Sequence, residues 1–140
     1  MKKALSILLV ALATCVAPAQ KDLTDTPKYE CCAPFKIGVV YHNSRIEGSA
    51  ILSSPQWDPT KPLPVRLDEV ERVARRELSK LVKDEAVWKV DSFIIKRAPG
   101  TQNWFYHVYF FPTPRTTNFD YATFFVNFDG NPGVTDPATK

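Results

Sequence analysis

The sequence predicts an α+β domain: one amphipathic helix packed on an antiparallel meander of three to four strands, with an N-terminal hairpin as an addition to it. Two observations carry this. Leu67, Val70, Val73, Ala74, Leu78, Leu81 and Val82 recur at three- and four-residue spacings, the period of a helix with one apolar side. Three ring-rich runs follow, at 88–97, 103–111 and 119–128, each with alternating side chains and turn residues between them. A helix followed by consecutive strands is an α+β order rather than a βαβ one.

The elements follow in chain order. Lys2 and Lys3 precede an apolar run over 4–13, and Ala17-Pro18-Ala19 closes it with small residues. That order is the secretory signal pattern. The run is about half of the roughly 20 residues that a spanning helix needs. Leu12-Ala13-Thr14-Cys15 supplies an alternative, a lipobox in which Cys15 becomes the lipidated first residue, although Thr is unusual before the cysteine. Either reading sends the chain out of the cytoplasm, to the periplasm, the medium or, as a lipoprotein, an outer surface. Membrane attachment follows only from lipidation. The expected division is 1–19 signal peptide, 20–34 flexible leader, 35–136 one folded domain and 137–140 tail.

Segments 35–41 and 49–52 are short apolar runs separated by His42-Asn43-Ser44-Arg45, and pair on paper as a hairpin. Pro55, Pro59, Pro62 and Pro64 hold the next stretch extended. The helix is expected over 65–83, with Pro64 at its entry and Asp68 and Glu69 in its first turn, where the helix dipole favours carboxylates. Asp129-Gly130 is a turn pair that ends the third run, and 133–136 is a candidate short edge strand.

Charge excludes one class of partner. Eighteen Lys and Arg stand against fifteen Asp and Glu, and Lys2 and Lys3 lie in the leader. The rest of the chain is near neutral and lacks the basic footprint of a nucleic-acid binder. After cleavage at Ala19 the cysteines are Cys31 and Cys32. Neighbours sit about 3.8 Å apart at Cα, below the usual disulfide span of about 4.4–6.8 Å. A strained vicinal bridge, a bridge to another chain and a reduced pair all stay open. Two Cys and two His, without finger-like spacing, do not make a zinc site.

The chemistry-bearing motifs are missing. The chain has no H-E-x-x-H, no G-x-S-x-G, no phosphate loop and no dinucleotide fingerprint. Asn127, Asp129 and Asn131 alternate like calcium ligands, but the glycine and terminal glutamate of a calcium loop are absent. The expectation is a non-enzyme with no cofactor and no metal.

Alternation along the strands divides their side chains. Trp104, Tyr106, Val108 and Phe110 share one face with Ala122, Phe124, Val126 and Phe128, as core beneath the helix. In the first run, Trp88, Val90 and Ile94 are expected to oppose Phe93 and Ile95. The other face carries Phe105, His107, Tyr109 and Phe111 beside Tyr121, Thr123, Phe125 and Asn127. A sheet face turned to water is normally polar, and this one is rich in rings. Either the N-terminal segment folds over it, or it is a surface for a partner or a second copy. Its candidate binding residues are Phe105, His107, Tyr109, Phe111, Tyr121 and Phe125.

The helix entry PLPVRLDEVERVARREL, the strand WKVDSFIIKR with its ring-rich successor NWFYHVYFF, and the closing FFVNFDG together cover 62–130. This stretch resembles the PepSY-like domains and, more loosely, the cystatin-like fold. The resemblance implies an exported module without catalytic residues, acting on a protein or peptide partner or standing alone in the cell envelope. Residues 100–104 read GTQNW in place of the Q-x-V-x-G hairpin of cystatins, so no functional residue carries over. An assembly role through Cys31 and Cys32 and an unrecognised enzyme or small-molecule binder are the alternatives. The oligomeric state is not legible.

Overall fold

The computed structural model describes residues 30–116 and 120–138; the leader with Cys15, residues 117–119 and residues 139–140 lie outside the described residues. The fold is α+β. Six strands form two antiparallel sheets of three, β1-β2-β6 and β3-β4-β5, and one main helix lies on the second. The strands are β1 (Glu30–Ile37), β2 (Val40–Glu47), β3 (Trp88–Arg97), β4 (Trp104–Pro112), β5 (Ala122–Asn127) and β6 (Val134–Pro137). The helices are α1 (Gly48–Ser53) and α2 (Leu67–Ser79), with a 3-10 turn at Glu85–Val87.

Helix α2 buries Val70, Val73, Ala74 and Leu78 against the rings of β4 and β5. Each fully buried Val or Leu side chain contributes about 1.5–3 kcal/mol. Asp68 and Glu69 occupy its first turn. The regular helix stops at Ser79, short of 83, and the Leu81 and Val82 amides close a last turn onto the Leu78 carbonyl. The Tyr106 hydroxyl donates to the Val65 carbonyl at 2.9 Å, which pins the helix entry to the middle of β4. Upstream, Trp57 meets Trp104 and Phe128 edge-on, and the Asn103 amide donates to the Ser54 carbonyl at 2.9 Å. The proline-rich connection is thereby fastened across the end of the central sheet.

Four expectations are corrected. The hairpin turns at Gly38 and Val39, not at 42–45: Ile37 pairs with Val40, and Gly38 takes φ 60°, a conformation glycine adopts without a Cβ penalty. Residues 49–52 therefore belong to α1 rather than to a strand. Because β2 runs on to Glu47, it offers a partner to everything back to Glu30, so residues 30–34 are strand and not leader. In β3 the pairing jumps between Val90 and Ser92. This bulge inserts one residue and inverts the alternation beyond it. Phe93 and Ile95 therefore join Trp88 and Val90 in the helix-side core, while Ile94 turns to the other face. Finally, the last short strand leaves the meander. β6 pairs with β2, at Asn43–Asp136 and Ser44–Thr135, and takes in Pro137, which the sequence assigns to the tail.

The chain reaches β6 through a close crossing. The Gly133 amide donates to the Phe125 carbonyl at 2.8 Å, and a Cβ on Gly133 would lie 2.5 Å from the Arg45 carbonyl oxygen and 3.2 Å from Phe125 Cβ. The obstacle is backbone, so Gly133→Ala forces two elements apart. We expect it to cost about 1–3 kcal/mol in urea unfolding, with the midpoint lowered at unchanged slope. An unchanged midpoint would show that the crossing is looser than described.

Candidate functional site

The second face of the central sheet divides in two. Its inner half is covered. Phe105, His107 and Phe125 are 1%, 2% and 2% exposed. Phe105 and Phe125 pack edge-on with Ile46 of β2, Ile51 of α1 and Ala98, and Cys31 and Ala33 close over them. The N-terminal segment therefore folds over this half, and these three residues, named above as candidate binding residues, are corrected to interior packing. The physical reason is that the β1-β2 hairpin and α1 together supply an apolar lid of matching size.

The outer half stays open. Tyr109, Phe111 and Tyr121 are half-buried, and Ile94 is exposed. Phe111 and Tyr121 rings lie 6.2 Å apart. The Arg115 guanidinium sits 4.2 Å over the Phe111 ring and 3.3 Å from Asp91. The Tyr121 hydroxyl donates to the Pro34 carbonyl at 2.7 Å, which fixes one side of the patch to β1.

At the boundary between the halves stands His107, between the Phe125 and Tyr109 rings at 4.3 and 4.4 Å. The Lys96 ammonium lies 3.0 Å from its Nδ1, and the Tyr109 hydroxyl lies 3.3 Å from the same nitrogen. An ammonium only donates, so Nδ1 accepts and the ring proton sits on Nε2. Nε2 is buried and has no hydrogen-bond partner among the described residues. Burial, and then the neighbouring Lys96 charge, push the imidazole down to about 4. Burial and the nearby Tyr121 push the Tyr109 phenol up, so it remains a hydroxyl donor. His107 is a poor general base here, because its accepting nitrogen already faces a cation.

The arrangement offers flat apolar area with hydroxyl, ammonium and guanidinium donors at its margins. Such a surface suits an extended chain with apolar side chains and carbonyl or carboxylate acceptors. Among the described residues no three of His, Cys, Asp and Glu converge to hold a metal ion. Cys31 faces inward on β1 and Cys32 is exposed on the opposite side. Successive side chains of an extended strand point apart, which opposes a bridge between these neighbours. Sequence reasoning missed Ile94, Lys96 and Arg115. The first two reach this face through the bulge, and no residue pattern announces it; Arg115 comes from the loop after β4. Comparison with protein-family models, curated proteins and solved structures finds no match to this chain.

Proposed function

We propose that the chain is an exported, non-catalytic binding module of the cell envelope that holds a protein or peptide partner on the open half of the central sheet. The observation that carries this is the half-exposed row Tyr109, Phe111 and Tyr121, with exposed Ile94 beside it and Lys96 and Arg115 at its margin. Contiguous apolar and aromatic area rimmed by polar groups is the usual composition of a recognition patch. The signal-type leader supports a location outside the cytoplasm. The likeness to PepSY-like modules points the same way.

The test places a photocrosslinking side chain at position 94 in cells, and a control at exposed Leu67 on α2. A discrete adduct is expected from position 94, absent from position 67 and lost in a Tyr109→Glu variant whose circular dichroism is unchanged. An adduct that survives Tyr109→Glu, or none at all, removes the open half as the binding surface.

A further inference from the structure

We propose that this chain assembles head to tail with copies of itself, the apolar tip of the β1-β2 hairpin of one copy seated in an apolar pocket at the far end of β2 in the next.

The tip is the first half of the argument. Val39 is 90% exposed, and its neighbours Val40 and Tyr41 are 48% and 58% exposed. These three are consecutive, whereas exposed Leu67, Val87, Ile94 and Val134 lie on separate parts of the chain. Single exposed apolar residues need no explanation, but a contiguous apolar knob does. The knob is also held in place. The Gly38 amide donates to Asp120 Oδ1 at 3.1 Å, and the Tyr121 amide donates to the Lys36 carbonyl at 3.2 Å.

The second half is a hole of matching character. A cavity of about 180 Å³ opens between α1 and the β3-β4 turn, lined by Gly48, Ile51, Leu52, Ala98, Pro99 and Gly100 together with Thr101. The Thr101 hydroxyl is turned to the Ala98 carbonyl at 2.9 Å, leaving the lining nearly without free polar groups. At about 30 Å³ of liquid volume per water, the space equals a handful of waters, the scale of one branched apolar side chain. Charge at the two sites is complementary. The Lys36 ammonium lies 5.8 Å over the Tyr41 ring at the tip, and the exposed Glu47 carboxylate directly precedes Gly48 at the pocket.

Position decides the geometry of assembly. Val40 and Glu47 are the two ends of β2, about 23 Å apart at the rise of an extended strand. Knob and hole are different patches, so the contact is heterologous, and each added copy presents a fresh tip or a fresh pocket. This surface shares no residue with the partner face proposed above, so the two proposals fail independently.

Sedimentation velocity over a concentration series, on the purified processed chain with reductant present to exclude thiol bridging, tests the inference. Wild type is expected to pass beyond dimer as concentration rises. Val39→Asp and Leu52→Asp, both at exposed positions and checked for fold by circular dichroism, are each expected to stay monomeric. Mixed one to one, they retain one intact pocket and one intact tip, and are expected to form a dimer and nothing larger. As a second route, Glu47→Lys should weaken assembly at least several-fold, and adding Lys36→Glu should restore it. Wild type that remains monomeric to about 1 mM, the weak end of specific association, overturns the proposal. So does a mixture of folded variants that fails to pair. Wild type that stays monomeric yet floats with vesicles of phosphatidylethanolamine and phosphatidylglycerol assigns the tip to a lipid surface instead.

Discussion

Phe124→Ala is expected to remove about 3–5 kcal/mol of folding stability, the usual cost of emptying a buried phenylalanine site. Phe124 is 1% exposed and meets Phe35 edge-on at 5.7 Å and Phe110 at 6.0 Å, so its ring joins β1, β4 and β5 in the core beneath α2. Three strands from two sheets cannot collapse into the gap together, which places the loss toward the upper part of that range. Domains of this size hold about 5–15 kcal/mol in total. The variant is therefore expected to lie near the edge of folding at physiological temperature. Urea unfolding followed by fluorescence and by circular dichroism measures the loss. A cost under about 1 kcal/mol would mean that the two sheets do not share this ring as described.

The second large effect is with pH. His107 is 2% exposed and its imidazole is held down to about 4, against about 6.5 in an unfolded chain. The unfolded state thus takes up a proton on this ring before the folded state does. Stability is full above pH 6.5, falls as pH drops through the interval, and the loss is complete below about 4. Over that range the group removes up to about 3 kcal/mol. Burial also lowers His42, which acts in the same direction. Urea midpoints at pH 7 and pH 4.5 should diverge more in wild type than in His107→Gln, where the amide oxygen can still accept from Lys96. An NMR titration of the His107 ring gives the direct reading. A midpoint near 6.5 would overturn both the burial and the Lys96 contact as its causes.

Much of the architecture was legible because it rests on periodicity. The spacing of Val70, Val73, Ala74 and Leu78 marks the buried side of α2, and alternation in β4 and β5 separates Tyr106, Val108 and Phe110 from Phe105 and His107. Those signals survive because a helix on a sheet must bury one side of each. What escaped were local departures from period. One extra residue at Asp91 exchanges Ile94 for Phe93 and Ile95 in the core, and nothing in the residue types around it marks the bulge. Ser49-Ala50-Ile51-Leu52 is too short for its apolar run to distinguish strand from helical turn. The same ambiguity hid the site. The aromatic face was visible in sequence, but which half is covered depends on Ile46 and Ile51, and these reach Phe105 only once the turn falls at Gly38.

The pairing of β2 with β6 has a consequence for the order in which the chain is made. His42–Arg45 and Val134–Pro137 stand side by side, yet the whole helix and meander lie between them in sequence. Closing so long a loop is slow, and here the second partner is also among the last residues synthesised. Until it emerges, β2 keeps one bare edge, with unpaired amides and carbonyls that invite pairing with any extended chain nearby. An exporting cell therefore handles this molecule for most of its synthesis in a form whose N-terminal sheet is one strand short, and only the final few residues seal it.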